Sequence, residues 1–352
     1  MTKRNGKIDF LRFIFAVVIM LHHLGMRSSL FDAFGIHFQV INQGGFAVVF
    51  YFLVSGYLLA KSAKKISRDA NIPDETTKYI WKKYKSFMVW YIPAFFLYFL
   101  GCSMVEGISS GLKQVIYNIP GLLMLKYIGF DGRMQYPNGY FVPASWYLSA
   151  LMICSLIIYP IILLKREWFI KILAPLTSIT CVYVLLNYKD RLRSSSGIWY
   201  PLAVMCIGCI MSELSEYIKY NDTLRKYRMA LHLIEIGIYS LSLVYICSDL
   251  PMQFEYPLFI LLSFGVSISF SGITNYRIYD NRIFTFIGKA SFPLYILHEA
   301  ISMIYIEVLK RFGVNHGMKS HIMLYLLCIT VAVTAQIVYG SIEKKNRSGG
   351  MF

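Results

Sequence analysis

The chain has 352 residues, of which 57% are hydrophobic, 16% aromatic and only 15% charged, against about 45–50% apolar and about 25% charged residues in an average soluble domain. Too few charges remain to cover a water-facing surface, which excludes a cytosolic enzyme, a disordered scaffold, a disulfide-stapled secreted module and a fibrous repeat. The net charge of +16 then reads as cytoplasmic loop topology and not as a nucleic-acid surface.

In chain order, Lys3, Arg4 and Lys7 precede an apolar run that Asp9 and Arg12 interrupt, with no small-x-small cleavage site after it. It reads as an uncleaved first span and not as a secretory leader. A spanning helix needs about 20 mostly apolar residues. Ten segments qualify, near 8–25, 44–60, 86–104, 144–164, 171–187, 198–214, 229–248, 256–274, 284–308 and 321–341. The stretch 112–127 is shorter and broken by Pro120 and Gly121, so it reads as an interfacial or re-entrant piece. Alternate loops split the basic residues unevenly. The segments on the side of the N-terminus hold 23 of the 35 Lys and Arg, and the opposite ones hold 10. Both termini are therefore expected in the cytoplasm. The segment 105–143, with Gly, Tyr and Pro137, is the largest polar surface on the far side. The expected fold class is all-α, a polytopic integral membrane protein of about ten transmembrane helices forming one domain over 1–352.

Ionisable groups inside spans cost about 2.5–3.5 kcal/mol at a helix centre and mark candidate sites. The first span carries Asp9, Arg12, His22 and His23. Arg12 and His23 are 11 residues apart, which puts them on one face about 16 Å apart along the axis. Asp9 lies three residues before Arg12 and can pair with it. The bland alternative is a snorkelling Arg12 with the histidines among outer headgroups. In the ninth span Ser291, Tyr295, His298 and Ser302 form one polar stripe. His298 is either hydrogen-bonded packing or a proton-transfer group, with function favoured. Glu299 follows it about 100° around the helix.

Other polar features have structural readings. Ser263, Ser267 and Ser271 at fourfold spacing serve helix packing. His232 and Glu235 at i, i+3 form a structural pair. The seven cysteines all fall in apolar runs and are expected as buried thiols. The Cys206-x-x-Cys209 pair reads as small packing residues. The loop 61–85 holds Lys61, Lys64, Lys65, Arg68, Lys78, Lys82, Lys83 and Lys85. It is either a topology signal or a landing site for a phosphorylated donor. No P-loop, dinucleotide fingerprint, zinc spacing or nucleophile elbow is present, and no metal is expected.

Four pieces together resemble the membrane acyltransferase-3 family, which moves acyl groups onto cell-envelope carbohydrates. They are Ile8–His23, fitting the family's Arg-x10-His signature with Arg12 and His23; Gly44–Leu59, similar to its glycine-then-aromatic second span; Ser145–Met152, similar to its Trp-aromatic-Leu-Ser element; and Lys289–Ile301, similar to its late Ser-aromatic-x-x-Tyr-x-x-His helix. Where the family carries arginine closely followed by proline before the third span, this chain has lysines and a delayed Pro93. No fused hydrolase-like domain is expected after the last span.

The resemblance implies an O-acyltransferase, with acetyl the commonest group. The donor is acetyl-CoA or another acyl-CoA on the cytoplasmic side. The acceptor is a hydroxyl of an envelope, capsular or exopolysaccharide glycan or of its lipid-linked precursor. His23 is then the general base or a transient acyl carrier, Arg12 stabilises phosphate or an oxyanion, and His298 lines the same cavity. Asp9, Lys82, Lys85, Trp146 and Tyr295 are the expected substrate- and donor-binding residues. The expected setting is the cell membrane, with the lipid bilayer, a glycan or lipid-linked saccharide and polysaccharide-assembly proteins as partners and no nucleic acid. The runner-up reading is a glycan transporter or flippase-like carrier without acyl-transfer chemistry. A third is a subunit of a polysaccharide-export complex.

Overall fold

The computed structural model describes residues 5–24, 41–125, 142, 144–188, 196–276, 279, 281–314 and 317–349. Among these residues helix dominates and no strand occurs. The main helices are α1 (Gly6–His23), α2 (Phe46–Ala63), α3 (Ile72–Glu106), α4 (Ile108–Tyr117), α5 (Ser145–Leu164), α6 (Arg166–Tyr188), α7 (Ser196–Tyr220), α8 (Arg228–Ile246), α9 (Glu255–Ser271), α10 (Arg282–Arg311) and α11 (Met318–Gly349). A π-helical turn, Phe169–Leu173, lies near the start of α6.

Eight of these helices are long and apolar enough to cross a membrane: α2, α3, α5, α6, α7, α8, α10 and α11. Each of the ten expected spans is helical, but two fall outside that set. α1 carries Lys7, Asp9 and Arg12 within its 18 residues, and α9 has only 17. Many large apolar side chains point outward, among them Phe96, Leu176, Val244 and Leu326. Water would penalise such stripes, whereas hydrocarbon accepts them. The expected interfacial piece is α4 followed by the short turn Ile119–Leu122. The part of the polar segment 105–143 that contains Pro137 lies outside the described residues.

The chain was expected to form one domain, and its contacts divide it into two compact units interleaved along the sequence. The first comprises Met1–Ile41, Trp90–Ile116 and Arg277–Phe352. The second comprises Asn42–Val89 and Tyr117–Tyr276. α3 is continuous and contributes its first half to the second unit and its second half to the first.

In the first unit α1 packs along α10, and α10 along α11. Local chemistry fixes where α1 begins. Asn5 is its N-cap, with Oδ1 accepting from the backbone N–H of Lys7 (3.1 Å) and Ile8 (3.3 Å), and Asp9 lies in the positive first turn. α10 starts in the same way, Asn281 Oδ1 accepting from Ile283 N at 2.9 Å. The two helices cross where Gly288 faces Asp9. A Cβ at Gly288 would stand 2.4 Å from the Asp9 Cβ and 2.8 Å from its carbonyl oxygen. Glycine is what lets α1 and α10 approach this closely. On α3, Gly101 makes the equivalent room for Met303 of α10.

In the second unit α7 is central and packs against α2, α5, α6 and α9. Gly56 and Gly208 form a reciprocal close contact of α2 with α7, Gly56 facing the Met205 carbonyl and Gly208 the Leu53 carbonyl. Cys206 and Cys209 are buried at this contact, and the Cys209 thiol donates to the Gly56 carbonyl at 3.4 Å. All seven cysteines are free. Ser263, Ser267 and Ser271 of α9 donate to backbone carbonyls of their own helix, as expected of packing residues.

Candidate active site

The polar groups expected in the first and ninth spans converge in the first unit. His23 ends α1, and its side chain keeps 29% of its surface exposed. His298, in the middle of α10, is fully buried. The two rings lie 5.1 Å apart between centroids, with His23 Nδ1 3.0 Å from His298 Nε2. His23 Nδ1 also lies 2.6 Å from Glu299 Oε1. Tyr98 on α3 donates its hydroxyl to the other carboxylate oxygen, Oε2, at 2.6 Å. Tyr295 is buried one turn before His298, the ring centroids 6.4 Å apart.

The acceptors fix the protons. His298 Nδ1 is 3.1 Å from the Leu294 carbonyl oxygen. A carbonyl can only accept, so Nδ1 carries the hydrogen and the neutral ring presents Nε2 as a lone pair. His23 Nδ1 therefore faces two acceptors, the Glu299 carboxylate and His298 Nε2, and it must carry a proton. A neutral His23 ring then carries its lone pair on Nε2. A carboxylate holding Nδ1–H orients an imidazole and stabilises the imidazolium that forms when Nε2 takes a proton. The hydrogen bond from Tyr98 fixes the carboxylate in turn. The Cys328 thiol donates to the His298 carbonyl at 3.8 Å, tying α11 to the same turn.

The remaining expected residues sit elsewhere. Arg12 is on the same helix as His23, about 16 Å away along the axis, with Nη1 3.9 Å from Asp9 Oδ1. Asp9 is buried under Gly288, while the Arg12 side chain is about one-third exposed. The structure therefore gives Asp9 an anchoring position at the α1–α10 crossing, and Arg12 does not touch the His23 cluster. Lys82, Lys85 and Trp146 belong to the second unit. Lys82 and Lys85 are exposed on α3, Lys85 Nζ lying over the Trp81 ring at 5.2 Å. Trp146 is half-buried near the start of α5, its ring 6.2 Å from Phe52.

Two members of the cluster are absent from the sequence-derived set. Glu299 was placed about 100° away from His298 on the helix. α1 lies against α10 so that His23 meets both side chains, and the angular offset becomes a two-sided grip. Tyr98 carries no sequence signal in an apolar span of a chain with 27 tyrosines.

The expected His232–Glu235 pair forms in the second unit, His232 Nδ1 to Glu235 Oε2 at 3.3 Å. Glu235 is almost fully buried and also accepts from Ser269, which lies 2.8 Å from the Tyr239 hydroxyl. This network pins α8 to α9.

Comparison with curated proteins and with solved structures gives no match. The acyltransferase-3 family model, described as an acyltransferase domain, matches residues 5–340, nearly the whole chain. The chain with a carboxylate-held histidine at the end of its first helix and eight long apolar helices thus belongs to the membrane acyltransferase-3 family and is a multi-pass membrane acyltransferase.

Proposed function

We propose that the chain is an O-acyltransferase that moves an acyl group, acetyl in the first instance, from a cytoplasmic acyl-CoA to a hydroxyl of an envelope, capsular or exopolysaccharide glycan or its lipid-linked precursor. The observation that carries this reading is the contact of His23 Nδ1 with the Glu299 carboxylate at 2.6 Å, which puts the lone pair of the neutral ring on Nε2. His23 Nε2 takes the proton of the acceptor hydroxyl as its oxygen attacks the thioester carbonyl. The C–S bond then breaks, and the imidazolium returns the proton to the leaving thiolate. Glu299 stabilises the imidazolium between these two transfers, and Tyr98 holds Glu299 in place.

The basic-residue bias supports ten spans with both termini in the cytoplasm of a cell-membrane protein. In that orientation the N-terminal end of α1, with Arg12, lies on the donor side and His23 on the acceptor side. Arg12, anchored through Asp9, then receives donor phosphate, and Lys82 and Lys85 add positive charge on the cytoplasmic side. The acyl-bearing arm of the donor has to extend along α1 to reach His23.

The test is acyl turnover by the purified protein in vesicles, with radiolabelled acetyl-CoA supplied on the N-terminal side and a glycan extract on the other. Label transferred by the wild type and lost in His23→Ala, with both proteins inserted equally, supports the reading. Equal transfer by His23→Ala removes His23 from the chemistry. If no acyl-CoA turns over while the vesicles move glycan, the protein is a carrier.

A further inference from the structure

The His23, His298 and Glu299 side chains each offer one donor atom, and these atoms all lie within 4.8 Å of one another. We propose that this cluster is a binding site for a divalent transition metal of the zinc type, and that the ion acts there as an inhibitor. Two imidazole nitrogens and one carboxylate are a zinc donor set that leaves a fourth position open. Partial exposure of His23 supplies the path in.

Three features make the cluster more than a chance grouping. First, His298 Nδ1–H already donates to the Leu294 carbonyl, which leaves Nε2 as the lone pair a metal requires. A backbone carbonyl behind a ligating imidazole is the usual outer-shell arrangement. Second, Glu299 is held by the Tyr98 hydroxyl on Oε2, so Oε1 can ligate once the Nδ1 proton of His23 that it accepts has moved to Nε2. Third, the spacing fits. Ligands about 2.1 Å from a tetrahedral ion stand about 3.4 Å apart, whereas His23 Nδ1 is 2.6 Å from Glu299 Oε1 and 3.0 Å from His298 Nε2. Each of these two contacts reaches that spacing by opening less than about 1 Å.

Inhibition follows from one proton, and this part rests on the proposed role of His23. A metal at Nδ1 needs the lone pair there, so the hydrogen that Nδ1 carries for Glu299 moves to Nε2. The ring stays neutral and no proton leaves it. The nitrogen that would accept the substrate proton becomes a donor, and Glu299 is drawn into coordination.

The experiment uses the full-length protein purified through a tag without histidine, with Co²⁺ as the spectroscopic probe and Zn²⁺ as competitor. The wild type is expected to bind one Co²⁺ with intense visible bands of four-coordinate geometry, and Zn²⁺ displaces it. His23→Gln, on the exposed helix end, and Glu299→Gln each weaken binding at least tenfold, by analogy with the roughly 10–100-fold lost on removing even outer-shell partners. Tyr98→Phe weakens it within that range. His22→Ala, whose ring bonds the Ile41 carbonyl at 3.0 Å, binds as the wild type does. Variants are compared only where gel filtration matches the wild type. Absence of the bands at millimolar Co²⁺, or their persistence in both His23→Gln and Glu299→Gln, overturns the site. Zn²⁺ binding without loss of acyl transfer overturns the inhibitory role. Metal binding by a protein that transfers no acyl group leaves the site standing and removes the proposed reaction instead.

Discussion

Replacing Glu299 by glutamine keeps the shape of the site and removes its negative charge. The carboxylate is 18% exposed and contacts His23 Nδ1 at 2.6 Å, so it acts on the imidazolium with little screening by water. A hydrogen bond to a charged group contributes about 1.5–3 kcal/mol, which is about 13- to 160-fold in rate at 1.36 kcal/mol per tenfold. A second effect adds to this. If the new amide turns its NH2 toward His23, Nδ1 must accept, the ring proton moves to Nε2 and the base is lost. The corresponding carboxamide change in a serine-protease triad costs about 10⁴ in kcat. Glu299→Gln is therefore expected to lower kcat by between about 13-fold and 10⁴-fold, with the KM for acyl-CoA little changed because Glu299 meets the histidine and not the donor. The assay is initial-rate acetyl transfer in vesicles at several donor concentrations. A Glu299→Gln enzyme with kcat within threefold of the wild type would refute the carboxylate-held base.

Three further outcomes follow from contacts already described. Tyr98→Phe removes the hydrogen bond to the Glu299 carboxylate and should lower kcat by as much as about 13- to 160-fold, from about 1.5–3 kcal/mol for a hydrogen bond to a charged group; an unchanged rate would detach Tyr98 from the site. Gly288→Val places a Cβ 2.4 Å from that of Asp9 and should destabilise the detergent-solubilised protein by about 1–3 kcal/mol. Gly45→Ala, with nothing within 4 Å, should melt within about 0.5 kcal/mol of the wild type, and equal melting of both variants would contradict the close crossing. Glu235→Ala removes the buried acceptor shared by His232 and Ser269 and should lower stability by about 1–3 kcal/mol. A thermal melt unchanged by that substitution would show that the network does not pin α8 to α9.

The helical, lipid-exposed character of the chain was legible because it is written in composition and in the length of apolar runs, which need no partner to be read. Three of the residues expected at the site, His23, His298 and Tyr295, lie at the cluster the structure forms, since an imidazole inside a span is costly wherever the span is placed. What the sequence could not show is pairing. His23 and His298 are separated by 275 residues, and nothing in either helix alone says that α1 lies against α10. Glu299 was visible as a charge, but a helical wheel describes one helix and assigned it to a different face. The Arg12–Asp9 pair and the roughly 16 Å between Arg12 and His23 were legible, because both follow from spacing within a single helix. No zinc spacing could announce the metal ligands, because that spacing is read within one segment and these come from two. The tyrosine that holds Glu299 sits on a third stretch of chain, one of many aromatic residues in apolar surroundings.

The interleaving of the first unit has a consequence for how the protein is made. His23 is synthesised early and its two partners 275 and 276 residues later, a delay of roughly 15–55 s at about 5–20 residues per second. Throughout that interval α1, with Lys7, Asp9 and Arg12, has neither the glycine face of α10 nor the carboxylate that will hold its histidine. α1 is thus made well before the helix that covers its charged face. Interruption of synthesis anywhere before α10 leaves Lys7, Asp9 and Arg12 of α1 without the helix against which α1 packs.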